Sequence, residues 1–288
     1  MIISIASGKG GTGKTLIATS LALSLAGQEQ VQLVDCDVEE PNVHVILKPV
    51  ISQSESVTIA VLRLNKEKCN YCGKCAQVCS YNAIAVFPDH VMLFTELCHG
   101  CGACSYLCPE GALYEGKREV GVMEKGRSNG IDFIQGKLNI GESMPMPAIR
   151  EVKKNIDRER TVIIDVSPGT SCSVVGAVVD SDFCILVTEP TPFGLNDLSL
   201  AVDMVNKLKI PCGVIINRDG SGDMSVDRYC REKNIPILLR IPLDIEIARL
   251  YSSGITLVKG MPQWRESFIG LYRDIEKRVV AETKAGGG

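Results

Sequence analysis

The sequence lacks three features that would each point to a particular class of protein. It has no apolar run near the roughly 18 residues that a membrane-spanning helix needs. Its apolar N-terminus does not follow the order of a secretory signal, because Lys9 and Lys14 lie within a glycine cluster. It carries no excess of positive charge, since its formal net charge is −3, and no basic field favours nucleic acid. These absences predict a cytoplasmic protein with no membrane span and no nucleic-acid partner.

The composition is otherwise that of a globular protein, except for its cysteines. Apolar residues make up 45% and charged residues 23% of the chain, which is enough for a sizeable core and excludes a disordered chain. The length of 288 residues allows one large or two modest domains. There are 13 cysteines, and eight of them lie between Cys69 and Cys108. Without a secretory signal, such clustering favours metal binding over disulfides.

Hydrophobic patterning predicts an α/β fold. Residues 2–6 form a strand, a glycine loop follows, and a helix over about 15–26 leads to a strand at 31–34. The pattern then breaks, since 48–68 carry no helical period and 116–145, rich in Gly, Met and Pro, have the character of a return connection. Later strands are predicted at 161–166, 183–188, 212–217 and 236–241, and helices at 147–157, 194–208, 224–234, 244–253 and 262–283. Strands that alternate with helices predict a doubly wound, mostly parallel sheet.

The last predicted helix carries several large apolar side chains, namely Trp264, Phe268, Leu271, Tyr272 and Ile275. A helix that lies on a membrane surface has a basic face, but the charges of this segment alternate in sign. We therefore expect the helix to pack on its own domain.

The clustered cysteines form an internal duplication with an offset of 29 residues. Cys69, Cys72, Cys75 and Cys79 recur as Cys98, Cys101, Cys104 and Cys108. A repeat of this size predicts a small module with pseudo-two-fold symmetry. We therefore predict a small α+β insertion over 58–118, within a larger α/β domain formed by 1–57 and 119–288.

The cysteine spacing resembles that of bacterial two-cluster ferredoxins. Each half reads C-x2-C-x2-C-x3-C, and in that pattern the fourth cysteine ligates the other cluster. The resemblance implies one [4Fe–4S] cluster on Cys69, Cys72, Cys75 and Cys108, and a second on Cys98, Cys101, Cys104 and Cys79. Zinc sites more often use two C-x-x-C pairs, so we expect iron–sulfur clusters.

Residues 8–15, GKGGTGKT, match the phosphate-binding pattern G-x4-G-K-[ST]. Glycines let the backbone N–H groups face phosphate oxygens, and the N-terminus of the following helix adds a positive dipole end. The lysine of the pattern, Lys14, reaches the β- and γ-phosphates, and the hydroxyl of Thr15 ligates Mg²⁺. The pattern predicts a site for ATP or ADP with Mg²⁺, formed by Gly8, Gly10, Gly11, Thr12, Gly13, Lys14 and Thr15.

A lysine directly after the first glycine, Lys9, makes this loop similar to the deviant form found in the ParA, MinD and nitrogenase iron protein class. Over nearly its whole length the chain resembles the MinD/Mrp-type P-loop ATPases that carry an inserted ferredoxin domain. The resemblance rests on the loop, Asp37, the eight cysteines, and the segments 165–169 and 188–194. It implies a homodimer, or a heterodimer with a paralogous ATPase, in which Lys9 reaches the nucleotide of the other subunit.

The same resemblance implies roles for five residues that follow predicted strands. Asp37 matches the carboxylate that positions the attacking water, and Asp165 matches the one that holds a Mg²⁺-bound water. Asn217 corresponds to an amide that contacts the nucleotide base, and Pro242 and Asp244 to a loop beside that base.

Two further residues leave alternatives open. Asp35 lies nearer to its strand than Asp37, and either bears on Mg²⁺ or caps the following turn. Cys172 lies seven residues after Asp165, where the nitrogenase iron protein has a cysteine that helps to bridge a cluster between subunits. No cysteine stands between Glu110 and Asp165 to serve as its second ligand, so a bridging cluster and a free thiol both remain open.

The leading functional hypothesis is an ATPase that gates electron transfer. ATP hydrolysis would change the dimer, and the dimer would change how two clusters meet a redox partner protein. The cysteine insertion follows closely on residues 37–42, so the nucleotide state could move it. The alternatives are a carrier or assembly ATPase for iron–sulfur or other metal cofactors, a MinD-like positioning ATPase with redox-sensing clusters and, remotely, a metabolic ligase.

Overall fold

The computed structural model describes residues 1–285, and its main feature is a nine-stranded sheet. The strands are β1 Ile2–Ala6, β2 Val31–Asp35, β3 Val50–Leu64, β4 Ile84–Val86, β5 Val91–Leu93, β6 Leu113–Ser128, β7 Ile131–Leu138, β8 Thr161–Asp165, β9 Phe183–Thr188, β10 Cys212–Asp219 and β11 Ile237–Pro242. The order across the sheet is β11-β10-β9-β1-β8-β2-β7-β6-β3, and β4 and β5 form a separate antiparallel pair.

The helices are α1 Lys14–Leu25, α2 Val43–Leu47, α3 Lys74–Val78, α4 Ala103–Tyr106, α5 Met146–Lys154, α6 Cys172–Val178, α7 Pro192–Lys207, α8 Ser225–Glu232, α9 Ile245–Ser252, α10 Leu257–Gly260 and α11 Trp264–Ala285. The longer helices and the parallel strands other than β7 lie where the hydrophobic pattern predicts them. The short helices α2, α6 and α10 were not predicted, because four to seven residues are too few to show a helical period.

The strands from β11 to β7 pair in parallel, and helices cover both faces of this part of the sheet. Side chains of β1 alternate between two cores: Ile3 and Ile5 face α1 and α11, whereas Ile2 and Ala6 face the side of α5 to α8. Burial on both faces explains why β1, β2, β8 and β9 are continuous apolar runs. The predicted α/β fold with a large, mostly parallel sheet is confirmed.

The long C-terminal helix α11 packs against α1, as expected. Its side chains Phe268, Leu271, Tyr272 and Ile275 are buried in the core on that face. The hydroxyl of Tyr272 lies 2.9 Å from the hydroxyl of Thr161 at the start of β8. Among the described helices, none is long and apolar enough to span a bilayer.

The prediction of a return connection over 116–145 is wrong, because β6 and β7 occupy most of that segment. β6 pairs antiparallel with both β3 and β7, and β7 joins β2 in parallel. The glycines that suggested a loop allow close strand contact instead. A Cβ atom at Gly121 would lie 2.3 Å from the carbonyl oxygen of Lys137, and one at Gly126 would lie 2.5 Å from that of Val50.

β3 and β6 form a two-stranded ribbon that leads to a cysteine-rich unit, residues 65–112. Both strands cross the sequence-based boundaries at 57/58 and 118/119, so the ribbon is shared by the sheet and the predicted insertion. Positive φ angles repeat across the unit at the offset of 29: Tyr71 with Gly100, Gly73 with Gly102, and Asn82 with Gly111. The internal duplication is therefore present in the backbone as well as in the cysteine spacing.

Candidate functional site

The glycine-rich loop connects β1 to α1 and borders a deep cavity at the carboxyl edge of the sheet. Gly11 and Gly13 have φ angles of +77° and +98°, which glycine adopts at little cost. Of the residues predicted from the sequence, the cavity is lined by Gly10, Gly11, Gly13, Lys14, Thr15, Asp37, Asn217, Pro242 and Asp244. These residues come from distant parts of the chain, and the parallel sheet brings them to one edge.

Four predicted residues lie next to the cavity rather than in its lining. Thr12 is buried in the loop, and Asp165 is buried beneath it. Gly8 packs under α7, where an added Cβ would lie 2.2 Å from the carbonyl oxygen of Asp197. Lys9 forms an ion pair with Glu189 and does not line the cavity. The loop is thus fixed against its surroundings before any ligand binds.

Thr15 and Asp165 form a pair at the floor of the site. The Thr15 hydroxyl donates a hydrogen bond of 2.6 Å to Asp165 Oδ2. The other carboxylate oxygen, Oδ1, is buried and has no hydrogen-bond partner within the described residues. Burial raises the pKa of Asp165 to about 7, against the opposing effects of Thr15 and Lys14. A hydroxyl beside an unpartnered carboxylate oxygen is a donor set that suits a hard cation such as Mg²⁺.

Lys14 brings a positive charge into this acidic pocket. Burial lowers the pKa of its ammonium group, while the nearby charges of Asp165 and Asp37 act to raise it. Burial also raises the pKa of Asp37, and the charge of Lys14 and a hydrogen bond with Ser167 oppose that rise. The pocket therefore holds a lysine between two carboxylates.

Asp35 has a structural position rather than a place in the cavity lining. Its side chain accepts backbone hydrogen bonds from Asp37 at 3.0 Å and from Asn42 and Val43 at 3.1 Å each. Burial and the charge of Asp165 raise the pKa of Asp35. Of the two roles left open by the sequence, this geometry supports the cap of the turn that leads into α2.

Lys9 is bound within its own chain by a residue that the sequence did not single out. Its Nζ lies 3.1 Å from Glu189 Oε2, and Arg218 Nη1 lies 2.7 Å from Glu189 Oε1. Glu189 is buried, and its carboxylate pairs with the two more exposed cations, Lys9 and Arg218. The segment 188–194 and Asn217, next to Arg218, were both noted in the sequence, but only the fold brings them together.

Asn217 is tied to the phosphate loop. Its Nδ2 donates a 2.7 Å hydrogen bond to the carbonyl oxygen of Thr12, and its Oδ1 accepts one from the backbone N–H of Arg218. Asp244 accepts a 2.7 Å hydrogen bond from Glu246 N and caps the start of α9. The cavity wall on this side includes Ile247, Ala248 and Tyr251 of α9, which were not predicted as site residues. An amphipathic helix gives no sequence signal that distinguishes a cavity wall from a surface.

The eight cysteines of the repeat line two separate cavities. The first is lined by Cys69, Cys72, Cys75 and Cys108. The second is lined by Cys79, Cys98, Cys101 and Cys104. In each half, the fourth cysteine therefore crosses to the cavity of the other half, which is the division that the ferredoxin pattern implies.

The chemistry of these cavities suits thiolate ligands. The backbone N–H of Ala83 donates to Cys79 Sγ and that of Ala112 to Cys108 Sγ, at 3.3 Å each. Burial acts to raise the pKa of Cys108, but backbone hydrogen bonds, that from Ala112 first, outweigh it and the pKa falls below its ordinary value. Within residues 1–285, no three His, Cys, Asp or Glu side chains converge as one metal ion requires. The cysteines instead surround their cavities, which suits a larger group.

Cys172 lies away from this unit, at the start of α6, and is exposed. The hydroxyl groups of its neighbours Ser171 and Ser173 lie 2.7 Å apart.

The fold and the phosphate loop define a P-loop nucleotide-binding protein. The chain belongs to the CobQ/CobB/MinD/ParA nucleotide-binding domain family, whose model matches residues 3–258, and it is an ATPase of that family. The uncharacterized protein MJ0579 of Methanocaldococcus jannaschii is 31% identical over 269 residues, which cover 90% of this chain and 92% of that protein.

Two more distant proteins are similar to this chain over most of its length. An iron-sulfur cluster carrier protein of Methanocaldococcus jannaschii is 23% identical over 303 residues, covering 98% of this chain and 84% of its own. The septum site-determining protein MinD of Pyrococcus horikoshii OT3, solved with Mg-ADP, has a TM-score of 0.60 and 21% identity, with 96% of each chain covered. The second likeness is one of fold.

Proposed function

We propose that this protein is an ATPase whose nucleotide-driven dimer switch is coupled to electron transfer through two [4Fe–4S] clusters. The observation that carries the proposal is the continuity between the two sites. Asp37 borders the nucleotide cavity, α2 follows it, and β3 then runs directly into the cysteine-rich unit. A movement of the segment that contains Asp37 would therefore act on the base of the ribbon.

The nucleotide roles follow from the placement of the side chains. Lys14 would contact the β- and γ-phosphates, and Thr15 and Asp165 would hold Mg²⁺ directly and through water. The unpartnered Asp165 Oδ1 supports that role. Asp37 would position the attacking water, since it lines the cavity near Lys14. Asn217, Pro242 and Asp244 would border the base.

A dimer would give Lys9 a second partner. In the single chain, Glu189 holds Lys9 and Arg218 together. We infer that Lys9 leaves Glu189 for the nucleotide of the other subunit when ATP binds, while Arg218 continues to neutralise the buried carboxylate. The partner subunit is either a second copy or a paralogous ATPase.

The two cysteine cavities would each hold one [4Fe–4S] cluster. Cys69, Cys72, Cys75 and Cys108 would ligate the first, and Cys79, Cys98, Cys101 and Cys104 the second. Each such cluster would carry one electron at a time. The chain's own contribution is to set the thiolates in two cavities, to donate backbone hydrogen bonds to Cys79 and Cys108, and to surround the sulfurs with apolar side chains.

A second candidate function is a carrier that delivers iron–sulfur clusters, which the name of the Methanocaldococcus jannaschii relative favours. A carrier needs clusters that leave easily. Two complete sets of four cysteines favour resident clusters instead. Transfer of iron and sulfide from the loaded protein to an apo-ferredoxin, faster with ATP, would favour the carrier.

An anaerobic redox titration followed by EPR tests the coupling. The clusters are titrated without nucleotide, with MgADP and with a non-hydrolysable MgATP analogue. We expect the reduction potential of the clusters, or their rate of reduction, to depend on the nucleotide. A shift of about 59 mV in a one-electron potential is a tenfold change in the reduction equilibrium. By linkage, reduction of the cluster would then change the nucleotide affinity by the same factor. A Lys14→Ala variant is the control, since it would lose the response. Identical potentials and identical reduction rates in all three states would contradict the proposal.

A further inference from the structure

The two cysteine cavities lie at different positions along the ribbon of β3 and β6. The second cavity is lined by Ala60, Val61, Leu62 and Glu115, in the body of the ribbon. The first cavity reaches the ribbon only at its tip, where Leu64 pairs with Leu113. The cavity of Cys69, Cys72, Cys75 and Cys108 is therefore the outer one, furthest along the ribbon from the nucleotide-binding domain.

Packing fixes the second half of the repeat against the ribbon. A Cβ atom at Gly100 would lie 2.4 Å from the carbonyl oxygen of Ala60, so this loop rests directly on β3. The equivalent residue of the first half is Tyr71, which has the same backbone conformation. The third cysteine is half-buried in the first half, Cys75, and buried in the second, Cys104. The third cysteine of the outer cavity is thus the more exposed of the two, while the second cysteine, Cys72 or Cys101, is exposed in both halves.

Positive charge is concentrated near the outer cavity. Residues 63–74, which surround the outer end, contain Arg63, Lys66, Lys68 and Lys74 and a single carboxylate in Glu67. Residues 75–116 contain no lysine or arginine, and their carboxylates are Asp89, Glu96, Glu110 and Glu115. All four cations of the outer end are exposed. The outer end therefore carries four cations against the carboxylates of Glu67 and Glu110, of which Glu110 lines the outer cavity, in a chain whose overall charge is negative.

We propose that the basic outer end, formed by exposed Lys66, Lys68 and Lys74 together with exposed Cys72, is the docking surface for an acidic redox protein. This inference rests on the proposed function, because it assigns the outer cluster site as the point of electron exchange. Opposite charges steer and orient such an encounter. Lys74 lines the outer cavity itself, so a partner bound there would cover that site.

The local charge pattern favours a protein over a nucleic acid. Glu67 lies in the same turn as Lys66 and Lys68, and Asn70 Nδ2 donates a 3.0 Å hydrogen bond to Glu110 beside the cavity. Because of these carboxylates, the basic surface is small and is interrupted by negative charge. It does not form the continuous basic surface that follows the phosphate backbone of a nucleic acid. Small surfaces of this kind suit the brief encounters of electron-transfer proteins.

The test measures electron transfer from an acidic flavodoxin, reduced to its hydroquinone, to the iron-loaded full-length protein by anaerobic stopped flow. One electron leaves the flavin hydroquinone, which becomes the semiquinone, and reduces one oxidised cluster, with no bond made or broken. The variant is K66Q/K68Q/K74Q. The control is K209Q/K233Q/K259Q, which removes three exposed lysines from the nucleotide-binding domain and has the same net charge. Methyl viologen radical cation serves as a reductant of opposite charge.

At low salt we expect the flavodoxin rate constant to fall about tenfold or more in K66Q/K68Q/K74Q, with a flatter dependence on ionic strength. The control variant keeps the wild-type rate, and methyl viologen reduces both variants no more slowly than wild type. Equal flavodoxin rates in the two variants would overturn the docking surface while leaving the clusters in place. Self-association of wild type that is lost only in K66Q/K68Q/K74Q would assign the surface to a second copy and also overturn it. Wild-type protein without iron or cluster EPR signals would instead overturn the proposed function itself.

Discussion

At the residue scale, the nucleotide pocket contains more buried negative than positive charge. Asp37 and Asp165 lie near Lys14. Besides burial, the charge of Asp37 raises the pKa of Asp165, and the charges of Asp165 and Asp37 raise that of Asp35. A bound divalent cation would relieve that repulsion. The pocket is therefore arranged so that metal and nucleotide bind together.

The raised pKa of Asp165 predicts a pH dependence of Mg²⁺-nucleotide binding. With a pKa of about 7, this carboxyl is mostly protonated at pH 6 in the free protein and must lose its proton to help hold Mg²⁺. The ionised fraction of a carboxyl with this pKa rises from about one tenth at pH 6 to about nine tenths at pH 8. The affinity for MgADP should therefore rise about tenfold over this range. Isothermal titration calorimetry measures both the affinity and the released proton.

The pH dependence of stability has the opposite sign to that of MgADP affinity. The folded-state pKa of Asp165 lies above its value in the unfolded chain, so this group's contribution to the free energy of unfolding declines as pH rises from about 4 to 7. Asp165→Asn should remove this decline and flatten the affinity profile for MgADP as well. An unaltered profile in the variant would assign the pH dependence to another group.

Glu189 gives a second prediction at this scale. Glu189→Gln removes the charge that holds Lys9 and Arg218, and the free energy of unfolding should fall by about 1 kcal/mol. The loss is modest because the side chains of Lys9 and Arg218 are 34% and 53% exposed. Chemical denaturation measures it. Glu246→Gln, which removes only an exposed pair with Arg249, is the control and should change stability less.

At the element scale, the cysteine-rich unit depends on a close contact between its second loop and β3. Gly100→Ala should disturb that contact, because the added Cβ would meet the carbonyl oxygen of Ala60 at 2.4 Å. The expected result is a lower iron content per chain and a lower unfolding temperature. Gly73→Ala is the matched control, since Gly73 also has a positive φ, +78°, but has open space around it.

The control separates backbone strain from packing. Both variants place alanine in a left-handed conformation, which costs roughly 1 kcal/mol in each. Only Gly100→Ala adds a collision with the ribbon. Equal iron loss in the two variants would mean that strain within the loops, rather than their packing on β3, controls the cluster sites.

At the scale of the whole molecule, the proposed switch requires two subunits. Asp37→Ala should keep the ATP-dependent dimer but slow hydrolysis about 100-fold or more, because the water loses its positioning group. Lys9→Ala should lose both the dimer and hydrolysis while still binding ADP. Sedimentation velocity with MgATP, combined with phosphate release, measures the two effects. A Lys9→Ala variant that dimerises and hydrolyses ATP normally would rule out a role for this lysine between subunits.

Much of the parallel sheet could be predicted from the sequence. Helices bury both faces of its strands, so the sequences of those strands are mostly apolar. The same reasoning failed at β6 and β7. Their glycines are usually typical of loops, but Gly121 and Gly126 serve here to let neighbouring backbones approach. The turn Asn129-Gly130 between β6 and β7 was a local hairpin signal that was overlooked, whereas the pairing of β6 with β3 spans the whole cysteine-rich unit and leaves no local signal. The contact between Glu189 and Lys9 was missed for a related reason, since it joins residues 180 positions apart.

The sequence by itself determined the chemistry of this protein, because a phosphate-binding loop and a ferredoxin-like repeat are defined by residue types at short, fixed spacings. Tertiary structure alone decided how these parts are arranged. It brought Asp37, Asp165 and Asn217 to one edge of the sheet, paired Lys9 with Glu189, and set one cysteine cavity at the outer end of a ribbon at the edge of the sheet. Such arrangements depend on strand order and on contacts between distant segments, and neither is written in local spacing.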